Sequence, residues 1–80
     1  MSEILKYQGR LAQNKLEIQD KRLRIQGLLG SLRDLLDPTL PEEELNGPVI
    51  SAQAFDLAKL LIDLLELQEQ ARIIKTALGQ

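Results

Sequence analysis

The chain of 80 residues contains no cysteine, no histidine and no tryptophan, and only one phenylalanine and one tyrosine. Without cysteine it has no disulfides, no thiolate nucleophile and no sulfur ligand for a metal. Without histidine it lacks the usual proton carrier at neutral pH. The scarcity of aromatic rings leaves aliphatic residues, chiefly leucine, to form the core. These absences argue against an enzyme, and we expect neither catalytic residues nor a cofactor.

Long hydrophobic runs are missing as well. Glu3, Lys6 and Arg10 interrupt the opening segment, which therefore lacks the apolar region of a signal peptide. The longest apolar stretch, residues 60–67, contains Asp63 and Glu66 and is too short to cross a bilayer. We therefore expect a cytoplasmic protein without a membrane partner.

Charge is distributed unevenly along the chain. The net charge of -2 combines +4 in residues 1–33 with -6 in residues 34–80. Two such segments attract each other when they fold side by side, whereas a basic first segment attracts an anionic partner. We favour the first interpretation and keep the second as an alternative.

The apolar residues of both segments follow a helical repeat. In the first segment an apolar residue recurs at every seventh position, and a companion row becomes polar in its middle at Asn14 and Lys21. A buried amide at Asn14 would fix the register of packed helices, and the alternative is a solvated N-terminal stretch. The first row is Ile4, Leu11, Ile18, Ile25 and Leu32. The second segment has one uninterrupted seam, formed by Leu57, Leu60, Leu64, Leu67, Ala71, Ile74 and Leu78.

All three prolines lie between these segments, together with a turn signal at Asn46 and Gly47. They predict an all-α antiparallel hairpin in a single domain, residues 1–80, with helix 1 at about 3–36, a loop at about 37–50 and helix 2 at about 51–78. Pro41 before three glutamates predicts a short helical turn. Helix 2 begins either at Pro48 as its first helical residue or after Ser51 as N-cap, and it ends at Gly79.

Glycines inside helix 1 raise an alternative to a continuous helix. Gly27 and Gly30 each cost about 1 kcal/mol against alanine, so a break there would give three helices instead of two. In a continuous helix they would instead allow close approach of a neighbour, for which Phe55 or Ile62 is a candidate. The stretch Gly27-Leu28-Leu29-Gly30 also matches the short glycine motif of some RNA-binding loops, but its leucines and helical context argue against that role.

Both helices have more apolar surface than one mutual contact can cover. The excess predicts a twofold homodimer forming a four-helix bundle or coiled coil, or capture of another amphipathic helix. The residues expected at this interface are Leu5, Leu16, Leu23, Phe55, Leu61, Ile62 and Leu65. We therefore expect a small protein-protein interaction module.

Two acidic groups were considered for chemistry. Asp63 and Glu66 are one helical turn apart, but they fall on the polar side and are expected to be solvated. The triplet Glu42 to Glu44, with Asp37, lacks the ligand spacing of a calcium loop. We expect the triplet to stabilise a helix start, and we predict no metal site.

A nucleic-acid-binding regulator is the alternative function. Four bases share an arc of helix 1 and could contact phosphates, although no aromatic side chain is available to stack on bases. They are Lys6, Arg10, Lys21 and Arg24. The outline of the chain resembles that of the Rop-type plasmid regulators, which are RNA-binding hairpins that dimerise into four-helix bundles, and that of helical-hairpin secretion needle subunits. These resemblances concern architecture and assign no residue a role.

Overall fold

The computed structural model describes residues 2–80, which form two long helices joined by a short loop. Helix α1 spans Glu3–Leu35, a single 3-10 turn spans Glu42–Glu44, and helix α2 spans Gly47–Ala77. The two helices pack against each other along an elongated molecule of 61 × 18 × 14 Å. The predicted all-α hairpin is confirmed.

Helix α1 is continuous between well-defined ends. The Ser2 hydroxyl accepts a hydrogen bond from the backbone N–H of Leu5 at 3.2 Å and caps the first turn. The helix ends before Asp37, the residue that precedes Pro38 and is therefore disfavoured in a helix. The alternative of a break at Gly27 and Gly30 is wrong, because both glycines lie inside the uninterrupted helix Glu3–Leu35.

The two glycines do not serve as a contact site within the chain. No atom lies within 4 Å of a Cβ placed on Gly27 or on Gly30. The expectation that Phe55 or Ile62 occupies that space is therefore wrong for the single hairpin. Phe55 lies on the far side of α2, where two-thirds of its surface is exposed.

The loop is ordered by its own hydrogen bonds. The Asp37 carboxylate accepts bonds from the backbone N–H of Thr39 at 2.9 Å and from its hydroxyl at 2.8 Å. These bonds lower the pKa of Asp37, the backbone bond having the larger effect. Pro41 then precedes the acidic turn Glu42–Glu44, as predicted.

Helix α2 begins at Gly47, four residues before the position expected in the domain assignment. The side-chain oxygen of Asn46 accepts a bond from the Val49 N–H at 3.2 Å, and Pro48 occupies the first turn. The helix thus starts one residue before the predicted start at Pro48, whereas the other predicted start is wrong because Ser51 lies inside the helix. The helix stops as predicted at Gly79, whose φ of 77° is the left-handed conformation of a C-terminal cap.

The core is a single seam between the helices. The predicted rows supply it, although Ile4 at the open end is 61% exposed. No side chain of residues 2–80 is completely enclosed. The buried apolar residues are Leu11, Ile25 and Leu32 from α1 and Leu67, Ala71 and Ile74 from α2.

Two contacts set the register of the hairpin. Asn14 is only 4% exposed, and its Nδ2 donates a hydrogen bond to the Leu67 carbonyl at 3.0 Å. The Lys21 ammonium lies 3.6 Å from the Asp63 carboxylate. The solvated alternative for Asn14 is therefore wrong, and the basic first segment does contact the acidic second one.

Candidate interaction surface

The hairpin has two broad faces that differ in charge. We label the heptad positions a to g, with Leu11 and Ala71 at a, so that a and d form the seam. In an antiparallel pair the b and e positions of both helices share one face, and the c and g positions share the other. The grooves between the helices are consistent with this assignment of faces. One groove is lined by Arg22, Gln68 and Lys75, and a groove on the other side is lined by Glu17, Asp63 and Glu66.

The c and g positions form a mixed-charge face. It carries seven of the eight acidic residues of the two helices, interspersed with bases. Asp63 and Glu66 line an open groove there, and the Asp63 carboxylate contacts Lys21, so nothing in this arrangement separates them as an acid and a base. The seven acids are Glu3, Glu17, Asp20, Asp34, Asp56, Asp63 and Glu66.

The b and e positions form a face that we call the acid-free face, because neither helix places an acidic residue there. Its central part on α2 is an apolar stretch made of Ala54, Ala58, Leu61 and Leu65. Its open end carries bases from both helices, which we call the basic end: Lys15, Arg22, Arg72 and Lys75. Such separation differs from an ordinary solvated surface, on which both signs are mixed.

The predicted interface residues are all exposed, but they do not share one surface. Leu61 and Leu65 lie on the acid-free face, and Phe55 and Ile62 border it at the outer f positions of α2. Leu5 lies on the same face near the open end. Leu16 and Leu23 occupy the f positions of α1, which point away from α2. One flat partner can therefore cover the α2 group, but not the α1 group at the same time.

The four bases predicted to contact nucleic acid are dispersed and partly neutralised. Lys21 contacts Asp63, and the Arg24 guanidinium lies 3.1 Å from the Asp20 carboxylate. Arg10 lies over the ring of Tyr7, 5.6 Å from its centre. Lys6 occupies a c position and therefore lies on the mixed-charge face. The structure does not bring these four side chains together as one cationic surface.

The basic end is the charged cluster that reasoning from one helix at a time missed. Arg22, Arg72 and Lys75 surround a groove whose floor contains Ile18 and Ala71. Side chains lean towards the N-terminus of their own helix, so Arg22 and Lys75 lean towards each other in an antiparallel pair. Predicting this cluster requires knowledge of the register of α1 against α2. A signal was nevertheless present in the sequence, since both repeats lack acids at b and e.

One member of the basic end already has a partner. The Arg72 guanidinium donates hydrogen bonds to the Glu69 carboxylate, and its Nε lies 3.0 and 3.1 Å from the two carboxylate oxygens. These bonds lower the pKa of Glu69 and raise that of Arg72. Within residues 2–80 no ion pair involves Lys15, Arg22 or Lys75. The cluster therefore retains a net positive charge.

The described part of the chain has neither a metal site nor a membrane-spanning helix. Residues 2–80 contain no grouping of three or more acidic, histidine or cysteine side chains that could hold a metal ion. Neither described helix has the length and hydrophobicity needed to cross a membrane. Comparisons with protein-family models, with curated proteins and with solved structures find no match to this chain.

Proposed function

We propose that this protein is a non-enzymatic assembly module that pairs with a second copy of itself through the acid-free face, forming a four-helix bundle. The observation that carries the proposal is the apolar stretch of α2. This part of the acid-free face contains no charged residue and is exposed to solvent. Leu65 is 66% exposed and Leu61 is 43% exposed, while Phe55 and Ile62 are more than half exposed beside them. Contiguous apolar surface of this kind is typical of protein interfaces.

The total surface of the hairpin supports the same proposal. Its accessible area is 6065 Å². A compact monomer of 9.0 kDa would expose about 4,850 Å² by the usual scaling with mass. The excess of about 1,200 Å² exceeds the roughly 800 Å² that each partner buries in a standard interface. A single hairpin thus has enough unburied surface for a stable dimer.

The energetics also favour association. Complete burial of an exposed leucine or phenylalanine contributes roughly 1.5 to 3 kcal/mol. The four exposed residues of α2, taken together, offer several kcal/mol against the translational and rotational cost of pairing. The intramolecular core is thin by comparison, because it is limited to one seam. Dimerisation would therefore be a large part of the stability of the fold.

The nucleic-acid alternative has less support from the geometry. Two of its four predicted bases contact carboxylates. The other two, Lys6 and Arg10, lie on the mixed-charge face, which carries seven acidic residues. A phosphate backbone approaching that face would meet carboxylates as often as bases. The proposed partner is consequently protein.

Sedimentation equilibrium over a range from nanomolar to high micromolar concentrations tests the proposal. We expect the wild type to be a dimer, and Leu65→Glu to weaken dimerisation by at least about a hundredfold, because it places a charge in the apolar contact. Gln70→Glu introduces the same carboxylate on the mixed-charge face and should leave the dissociation constant unchanged. A wild type that stays a monomer throughout, or a Leu65→Glu variant that dimerises normally, would contradict the proposal.

A further inference from the structure

We infer that the two copies pair antiparallel, with α2 against α2, so that the acidic turn of each copy docks on the basic end of the other. This inference rests on the proposed dimer and adds its register and its electrostatic contact. It combines two independent features of the chain, the order of large and small residues on α2 and the position of its charges.

The apolar stretch complements itself about a twofold axis. Its two alanines come first and its two leucines follow, and the two alanines are as far apart in the sequence as the two leucines. When two α2 helices lie antiparallel with the axis between Lys59 and Leu60, Ala54 faces Leu65 of the other copy and Ala58 faces Leu61. Every layer then places a small side chain against a large one, which is how facing helices interdigitate without voids or clashes.

The same axis places opposite charges together. It sets Gly47, the first residue of α2, opposite Arg72 of the other copy, each about 19 Å from the axis at about 1.5 Å per residue. The acidic turn Glu42–Glu44 comes just before α2 in the chain and lies beyond Gly47, on the side of the other copy's Lys75. All three glutamates are exposed. The order of the apolar residues defines the axis without reference to the charges. That the same axis also brings opposite charges together therefore supports this register.

The docked segment also has apolar side chains of its own. Leu40 and Leu45 flank the acidic residues and are 36% and 39% exposed. The groove at the basic end has Ile18 and Ala71 in its floor and the cations at its rim. An acidic segment bordered by leucines is complementary to such a groove in both charge and polarity.

The other twofold arrangement is disfavoured by the same charges. If the two hairpins lay with their loops at the same end, α1 would face α2 of the other copy. The two acidic turns would then be neighbours, and the two basic ends would also be neighbours. Like charges would be juxtaposed at both ends of the bundle, whereas the antiparallel arrangement forms two attractive contacts.

A charge-reversal experiment tests the docking. Arg72→Glu/Lys75→Glu makes the basic end acidic, and Glu43→Lys/Glu44→Lys makes the turn basic. Each variant alone should dimerise about ten- to a hundredfold more weakly than wild type at low salt. An equimolar mixture should form heterodimers within a few-fold of wild-type affinity, because both contacts are again between opposite charges. At about 1 M salt the differences should largely disappear.

Lys6→Glu/Arg10→Glu provides the matched control, since it changes the net charge equally on the mixed-charge face. We expect it to dimerise as the wild type does. If the two charge-reversed variants also dimerise normally while Leu65→Glu does not, the dimer stands and the docking is wrong. If the wild type is monomeric, both proposals fail. A salt-sensitive RNA or DNA complex that Arg72→Glu/Lys75→Glu abolishes without weakening dimerisation would overturn the assignment of the basic end.

Single cysteines test the register independently, because the chain has none of its own. We expect a mixture of Ala54→Cys and Leu65→Cys chains to oxidise to the mixed disulfide in preference to either symmetric one, since these positions face each other across the axis. A statistical mixture of the three disulfides, or preference for a symmetric one, would overturn this register even if the dimer is confirmed.

Discussion

The side-chain amide of Asn14 donates a hydrogen bond to the main-chain carbonyl of Leu67, 53 residues away and on the opposite helix, at 3.0 Å. It is the buried polar group that links α1 to α2 in the seam. Its other polar atom, Oδ1, is buried without a hydrogen-bond partner within residues 2–80. Only one of the two polar atoms of the Asn14 side chain is therefore hydrogen-bonded, which is consistent with a residue that specifies register at a cost in stability.

Replacing Asn14 by leucine should accordingly separate stability from register. We expect Asn14→Leu to raise the free energy of unfolding by roughly 1 to 2 kcal/mol, because a desolvated amide oxygen is removed and an apolar contact is gained. Urea denaturation at fixed protein concentration measures that change. The loss of the Leu67 bond should also admit a second helix register, seen as additional or broadened amide resonances. One sharp set of resonances with unchanged seam contacts would show that Asn14 does not specify the register.

The seam could be predicted from the sequence because two packed helices require apolar residues at regular spacing in each. Ile25 and Leu32 recur at heptad spacing in α1, as Leu67 and Ile74 do in α2, and that spacing alone predicts which side of each helix is buried. The start of α2 was less certain. Asn46, Pro48 and Ser51 are all acceptable start signals, and only the hydrogen bond from Val49 to Asn46 decides between them.

The interaction surface could be predicted only in part, for a different physical reason. Leu61 and Leu65 were identified from the width of the apolar arc on one helix. Arg22 and Lys75, by contrast, come from separate helices, and they meet only because of a register set by Asn14 and Lys21. The pattern of residues within one helix does not predict which residues of the other helix lie beside it. For the same reason the sequence leaves Lys21 as a candidate phosphate contact under the nucleic-acid alternative, whereas the structure places it against Asp63.

The turn at the end of α1 should respond to acid. The Thr39 backbone N–H and hydroxyl both donate to the Asp37 carboxylate and hold its pKa below the ordinary value of 3.8. A carboxyl group with a lowered pKa stabilises the folded state above its unfolded pKa, and that contribution is lost as the pH falls through the folded pKa. The ordering of the turn should therefore be constant at neutral pH and decline below a pH of about 4.

An NMR titration of Asp37 measures this directly. We expect Thr39→Ala to raise the pKa of Asp37 part of the way towards its ordinary value, because the hydroxyl donor is lost while the stronger backbone bond remains. Thr39→Ser keeps a hydroxyl donor and should behave like the wild type. Equal pKa values in all three proteins would show that the side-chain bond does not contribute.

Gln53 offers a stabilising change that leaves the register untouched. It occupies a d position near the loop end of α2, and its Oε1 is buried without a hydrogen-bond partner within residues 2–80. Unlike Asn14, it forms no bond to the opposite helix in this structure. Burying an unpaired amide oxygen costs about 1 to 3 kcal/mol, with no compensating bond between the helices.

We therefore expect Gln53→Leu to raise the free energy of unfolding by about 1 to 2 kcal/mol and to keep a single set of amide resonances, because the Asn14 bond to Leu67 remains. Gln70→Leu, an identical replacement at an exposed g position, is the control and should change stability by less than about 0.5 kcal/mol. Since Gln53 lies in the seam rather than on the acid-free face, the dissociation constant of the dimer should be unaffected. A destabilised Gln53→Leu hairpin would mean that the amide oxygen of Gln53 accepts a hydrogen bond in solution, for example from water, and that the seam is hydrated at its loop end.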